Sequence, residues 1–395
     1  MKNLIYLLLL SMTIPSCKKE EARQVNQYTI EQFYTNTRFE GGTFSADETR
    51  LLVGSDETGI FNLYEITLAD GAKKQLTTST VESYYPVDYV PGMSALIYSA
   101  DKGGNEIDHL YLLEDNGKTT DLTPGENNKV SFFKWSEDKK SMFYISNIRD
   151  PKYFDVYKMN IGEWIPTLFY ENKSGLDVNE ISDDEKTLVV SKTVTTSENE
   201  LYLVNRETGT QTELSLPDQK GRYGVSGFSK DNKYVFYLTD GGKEFTYLVQ
   251  YDMNSGERKV LYETTWDVMY TFLSEKETYR VIAINEDGKN TIIMQDAASG
   301  KTIDFPAIPD GDILGVEISD SEKLMRLSVG TSKAPNNIYL YNLETKELKK
   351  LTESLNKEIN ADDLVSAEVV RYKSFDGLDI PAIYYKPHQA TPEQK

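Results

Sequence analysis

The chain has 395 residues, 39% of them hydrophobic and 11% aromatic, with 27 tyrosines and a formal net charge of −20. That acidic balance excludes a nucleic-acid backbone and an anionic membrane surface as electrostatic partners. A single cysteine excludes an internal disulfide, and two histidines with that cysteine form no cluster for a transition metal.

The chain opens with Met1-Lys2-Asn3, an apolar run over 4–10 too short to span a bilayer, and Ile14-Pro15-Ser16-Cys17. A basic start, a short apolar core and small residues before a cut site describe a secretory signal. The lone Cys17 at the junction resembles a bacterial lipobox, which implies lipidation of Cys17 after removal of residues 1–16. The alternative is a free cysteine in an ordinary signal peptide. Lys18-Lys19-Glu20-Glu21 resembles the signal that sorts some lipoproteins to the outer membrane, although a solvated charge run reads equally well. The expectation is an exported outer-membrane lipoprotein, facing the periplasm or the cell surface. Only the anchor would meet the membrane, and residues 17–29 would be its tether.

From residue 30 the sequence repeats itself. Phe44-Ser45-Ala46-Asp47 returns as Trp135-Ser136-Glu137-Asp138, Ile181-Ser182-Asp183-Asp184 and Phe228-Ser229-Lys230-Asp231. Weaker copies are Leu273-Ser274-Glu275-Lys276 and Ile318-Ser319-Asp320-Ser321, and the degenerate Val90-Pro91-Gly92-Met93 fills the remaining slot with Pro91 in the serine position. The seven copies are spaced 45 to 47 residues apart. A period of this length marks stacked supersecondary units and has to be recognised before any local assignment. Each copy leads into a β-rich run, at 51–54, 96–99, 142–146, 188–191, 234–238, 281–284 and 324–329. A polar turn follows, then a second run such as Leu63-Tyr64 or Leu201-Tyr202, a turn such as Asp70-Gly71, and a short strand ending in Leu-Thr or similar. Four antiparallel strands cannot bury both faces alone, and stacking the units in a closed ring leaves few exposed edges. The fold class is therefore all-β: a seven-bladed β-propeller over residues 30–360.

Three turn segments carry a family likeness. They are Gly41–Ser45 with 56–64 in the first blade, Gly103-Gly104-Asn105-Glu106-Ile107-Asp108-His109-Leu110-Tyr111 in the second, and 147–157 (Asn147-Ile148-Arg149-Asp150 onward) in the third. Together they resemble the N-terminal propeller of the prolyl-oligopeptidase and dipeptidyl-peptidase type of serine peptidases, a TolB/WD40-like ring. After Leu351-Thr352 the period breaks, and 369–387 reads as a hairpin turning at Asp376-Gly377. In that family this hairpin resembles the entry into the catalytic α/β-hydrolase domain, so 361–395 reads as a linker and the first strands of a truncated hydrolase domain.

A hydrolase of this type needs a Gly-x-Ser-x-Gly elbow followed by an acid and a histidine. The sequence has no such elbow. His109 reads as a structural or surface residue of a blade strand, and His388 as part of a frayed tail. No catalytic residue is assigned, and the chain is expected to be inactive alone. Asp56/Glu57, Glu106/Asp108 and Glu198/Glu200 have the composition of glycosidase pairs, but sit at turns where solvated carboxylates belong. No cofactor or metal is expected: the phosphate-cradling Gly-x-x-x-x-Gly-Lys is missing, and no segment has the dense Asp/Asn spacing of a calcium loop. The resemblance implies the substrate-gating portion of an exported peptidase. The alternative is a surface-anchored propeller that binds a peptide, glycan or protein partner at its loops or channel.

Overall fold

The computed structural model describes residues 24–308 and 311–390, so Cys17 and the signal segment lie outside the described residues. Seven four-stranded antiparallel sheets follow one another, over 39–75, 85–121, 130–170, 177–213, 223–262, 267–303 and 311–350, each made of four consecutive strands. The closest approaches between blades are made by first strands and their neighbours, which puts the first strand of each blade around the axis. Second strands are the most deeply buried: Leu51, Leu52 and Val53, or Leu188, Val189 and Val190, are fully inaccessible. Side chains on both faces of each second strand pack into the gaps between blades, because each sheet is covered on both sides by its neighbours. Burying one such aliphatic side chain contributes about 1.5–3 kcal/mol.

The repeated Ser-x-Asp closes the turn between first and second strands. Ser45, Ser136, Ser182 and Ser229 each donate a hydroxyl hydrogen bond to the aspartate two residues on, at 2.6, 2.7, 2.7 and 2.8 Å. The same hydroxyl accepts the amide five residues on, as in Arg50 (3.1 Å) and Thr187 (2.9 Å). The hydroxyl of Ser45 and the Thr49 groups hold the Asp47 carboxylate down to about 2. The next residue takes positive φ in six blades, at Glu48, Lys139, Glu185, Asn232, Glu277 and Glu322. A type I turn followed by a left-handed residue gives the strands the twist a hairpin needs.

The second blade departs from the expected slot. Val90 makes the bonds that the serines make elsewhere, its amide to Ala95 and its carbonyl to Met93, so Val90 and not Pro91 occupies the serine position. Pro91 and Gly92 (φ 72°) are then the two central residues of a type II turn, which replaces the Ser-x-Asp bonds by backbone geometry. The terminal Leu-Thr also has a structural task. The hydroxyls of Thr77, Thr123 and Thr352 accept the amides of Leu63 (2.9 Å), Leu110 (2.9 Å) and Ile338 (2.8 Å) where the fourth strand has ended.

Ring closure uses the left-handed residues. Glu322 reaches back to the Lys276 amide (2.9 Å), Glu277 to the Lys230 amide (2.7 Å) and Asn232 to the Asp183 amide (3.1 Å), each in the preceding blade. Glu48 of the first blade does the same to the seventh, accepting the Ser321 amide (2.7 Å) and the Ser319 hydroxyl (3.0 Å). Lys349 adds bonds to the carbonyls of Leu68 and Ala69, and Ile338 and Leu351 pack with Phe39, Leu51 and Tyr64. Among the described residues no strand is shared across the seam.

The chain before the ring, Ile30–Tyr34, is a short helix with a Thr29/Gln32 capping box rather than a strand. It lies along the segment that follows the seventh blade: Asn356 donates to Gln32 O and Thr35 Oγ1, and the Tyr28 hydroxyl donates to Asp363 and accepts the Asn360 amide. Ser354 and Ile359 are buried there, so the charged connector is packed and not a free linker.

Candidate functional site

The antiparallel order places the Ser-x-Asp turns on one face of the ring and the connections between second and third strands on the other. This second face carries the segments with the family likeness. Asp56 fixes the entry to the first blade by accepting the Arg38 amide and Nε, both at 2.7 Å. In the third blade the strand Ser141–Asp150 extends past its neighbours, and Arg149 clamps the buried Asp155 with two bonds of 2.6 and 2.9 Å. The acidic pairs are engaged as turn and strand-end residues: Glu57 with Lys73, Glu198 with Lys220, and Glu200 with Lys192 and the Tyr202 hydroxyl. Two hydrogen bonds of this last set hold the Glu200 carboxyl below its ordinary range.

Around the axis every first strand is bulged at one position. The pairing with the second strand skips Gly42, Val87, Phe133, Asn179, Ser226, Met269 and Leu314 in turn. Bulges bend a strand and re-aim its side chains; those of the first five blades lie at one level, and Met269 and Leu314, two residues further from their turns, complete the ring. Beside it, Asp88 accepts the Trp135 Nε1–H (2.8 Å), and burial pushes its carboxyl up to about 6. Lys134 binds Glu180 (3.1 Å) and the Ile181 carbonyl (2.9 Å), and Arg326 binds Glu317 (2.8 Å). The bulges were not expected from the sequence, because their residues share no chemistry. Their only signal is an offset from the turn, three residues before the serine position in the first five blades and five before it at Met269 and Leu314.

The loop face also receives the terminal hairpin, Ala367–Lys373 paired with Asp379–Tyr385 and turning at Gly377 (φ 89°), as the Asp376-Gly377 pair foretold. It docks on the loops of the sixth and seventh blades. The Ala367 amide donates to Ser332 Oγ (3.0 Å), Arg371 forms an ion pair with Asp287, and Ile383 closes over Gly288. The hairpin's free surface is apolar, with Tyr372, Leu378, Ile383, Tyr384 and Tyr385 all exposed.

His109 is buried between Asp121 (Nδ1, 2.8 Å) and the Gly125 carbonyl (Nε2, 2.9 Å), so both ring nitrogens bind structural acceptors and neither faces a hydroxyl. His388 is not frayed: its Nε2 reaches the Leu364 carbonyl at 3.2 Å, folding the tail back on the connector. Cys17, the one proposed modification site, lies outside the described residues.

The prolyl oligopeptidase N-terminal β-propeller domain matches residues 87–354. The chain belongs to this family. Dipeptidyl aminopeptidase BIII of Pseudoxanthomonas mexicana is 23% identical over 343 residues, covering 84% of this chain and 49% of the relative. Among solved structures, a prolyl endopeptidase superposes with a TM-score of 0.68 at 17% identity, over 89% of this chain and 54% of that one. Prolyl oligopeptidase B from Galerina marginata, in its apo form, gives 0.68 at 14%, over 91% and 57%. These structural likenesses establish the fold. The chain spans about half the length of the prolyl-oligopeptidase relatives it matches.

Proposed function

We propose that this chain is the substrate-gating propeller of an exported serine peptidase of the prolyl-oligopeptidase type and does not hydrolyse peptides by itself. The observation that carries this reading is the hairpin Ala367–Tyr385. It is bonded to the loop face through Arg371 and Ala367 while it presents an apolar surface that the ring does not cover. An α/β-hydrolase domain fits that surface and would sit over the axial channel, so that peptides reach the nucleophile only by way of the propeller. The two histidines support the same reading, since neither binds a serine hydroxyl. Export rests on the lipobox-like segment, with Cys17 as the lipid attachment point.

The test is to incubate the purified chain with chromogenic Xaa-Pro substrates and with a fluorophosphonate that labels activated serines. Neither turnover nor labelling is expected, and labelling that disappears on heat denaturation would contradict the proposal. Anchoring is tested separately by radiolabelled palmitate, which Cys17→Ser is expected to abolish.

A further inference from the structure

Arg280 is the residue whose position the fold does not explain. It lies on the strand Tyr279–Glu286 and is only 6% exposed, with its guanidinium 4.5 Å above the Phe236 ring of the preceding blade. Among the described residues no carboxylate lies within ion-pair distance of it and no acceptor receives its N–H groups. The contrast with Arg149, Arg50 and Arg326 is plain: each of these is bonded to a carboxylate at 2.6 to 2.8 Å. Glu277, whose charge Arg280 feels, is turned to the Lys230 amide. Burial lowers the Arg280 pKa to about 10, which still leaves it charged at neutral pH. A guanidinium buried this far without a carboxylate is costly, and its nitrogens keep a little contact with solvent at the cavity, which leaves its donors available to something else.

Arg280 lines a cavity of about 320 Å³ that opens on the Ser-x-Asp face between the third and sixth blades. Phe236, Phe272 and Phe228 supply an apolar wall, and the bulged Ser226 supplies the axial side. Two of the three lysines at the rim are already engaged, Lys134 with Glu180 and Asp183, and Lys230 with Glu137 and Glu275, while Lys139 has no ion pair among the described residues. Those four acids and Glu277 make the rim repel a dianion, whereas a single negative charge can be met by Arg280.

We propose that this cavity binds a monocarboxylate bearing an apolar group, with the carboxylate bidentate on the Arg280 guanidinium and the apolar group against Phe236 and Phe272. The planar fork of arginine matches a carboxylate, and the flat rings match an aromatic or branched aliphatic substituent. The site is on the face opposite the docked hairpin, so it stands whether or not the peptidase reading does.

The test is a melting-temperature titration of the protein with sodium benzoate, with benzamide as the neutral isostere and sodium sulfate as the dianion, at constant ionic strength. A ligand that binds only the folded state raises the melting temperature with saturation. Benzoate is expected to do so and the other two are not. Arg280→Gln is expected to weaken benzoate at least about tenfold, as loss of a charge-assisted pair should. Since that change alters a buried position, Ser226→Phe is the second variant: it fills the cavity from the axis, keeps Arg280, and is expected to abolish the benzoate shift with the circular dichroism spectrum unchanged. No benzoate shift in the wild type, an equal shift with benzamide or sulfate, or an unchanged shift in both variants would overturn the proposal.

Discussion

On one face of the ring six blades turn on a serine whose hydroxyl accepts the amide five residues on, four of them with the Ser-x-Asp bond, and the remaining blade substitutes Pro91-Gly92. On the other face the connections range from Asp287-Gly288 to the whole of 101–108, and they carry the hairpin and the packed connector. The first face is set by local chemistry repeated in six blades, with Glu48, Glu185, Asn232, Glu277 and Glu322 tying their turns to the blade before. The second is set by what each blade has to hold. The difference teaches that the repeated face is the framework and the irregular face is where the chain is specialised. The Arg280 cavity is the exception that a strictly regular framework would not contain.

Four substitutions probe the two faces. The largest effect is expected at the seam. Glu48→Gln removes acceptors from the Ser319 and Ser321 bonds and should cost about 2–3 kcal/mol, read by urea unfolding. A loss no larger than that of an exposed substitution would mean that the framework does not need this closing link.

Asp88 gives the next effect, and its sign depends on pH. The folded carboxyl holds its proton up to about 6 whereas the unfolded one releases it near 4, so this group lowers stability as pH rises through that window. Asp88→Asn keeps an acceptor for Trp135 and should stabilise the protein by about 2 kcal/mol at pH 7. The advantage should vanish by pH 4. A pH-independent difference between the two proteins would contradict the assignment.

Ser136→Ala tests a single turn, removing the bonds to Asp138 and from Ser141. It should cost about 1 kcal/mol, and an equivalent substitution in another blade should cost the same if the repeat is one device. The smallest effect on the ring is expected from Arg371→Ala, since a half-exposed ion pair contributes about 0–1 kcal/mol. Its local effect should be clear: trypsin cleavage at Lys373 should accelerate while the melting temperature of the ring stays put.

Much of this was legible before the structure. The strand placed at 51–54 is Arg50–Ser55, that at 188–191 is Thr187–Thr195, and the hairpin turns where Asp376-Gly377 said it would. Repeat period and turn chemistry are local properties that the sequence displays directly. What was hidden depends on pairs distant in the chain. Nothing near Glu48 announces Ser321, and nothing near Tyr28 announces Asp363, because those contacts exist only once the ring has closed. The axial bulges were hidden for another reason: a bulge is fixed by register, which Gly42, Phe133 and Met269 can all satisfy. Arg280 stands just before the run at 281–284, and its burial and lack of a carboxylate partner depend on Phe236 of the neighbouring blade, which is distant in the chain.

The central claim is that the irregular face works with a hydrolase domain. The measurement that tests it most directly is a blot of the producing cells with an antibody to the propeller, run beside a fluorophosphonate activity profile. One species is expected, larger than this chain, that carries both the propeller epitope and the serine label. A propeller species of this chain's own size that never carries the label, with no labelled protein co-purifying, would contradict it.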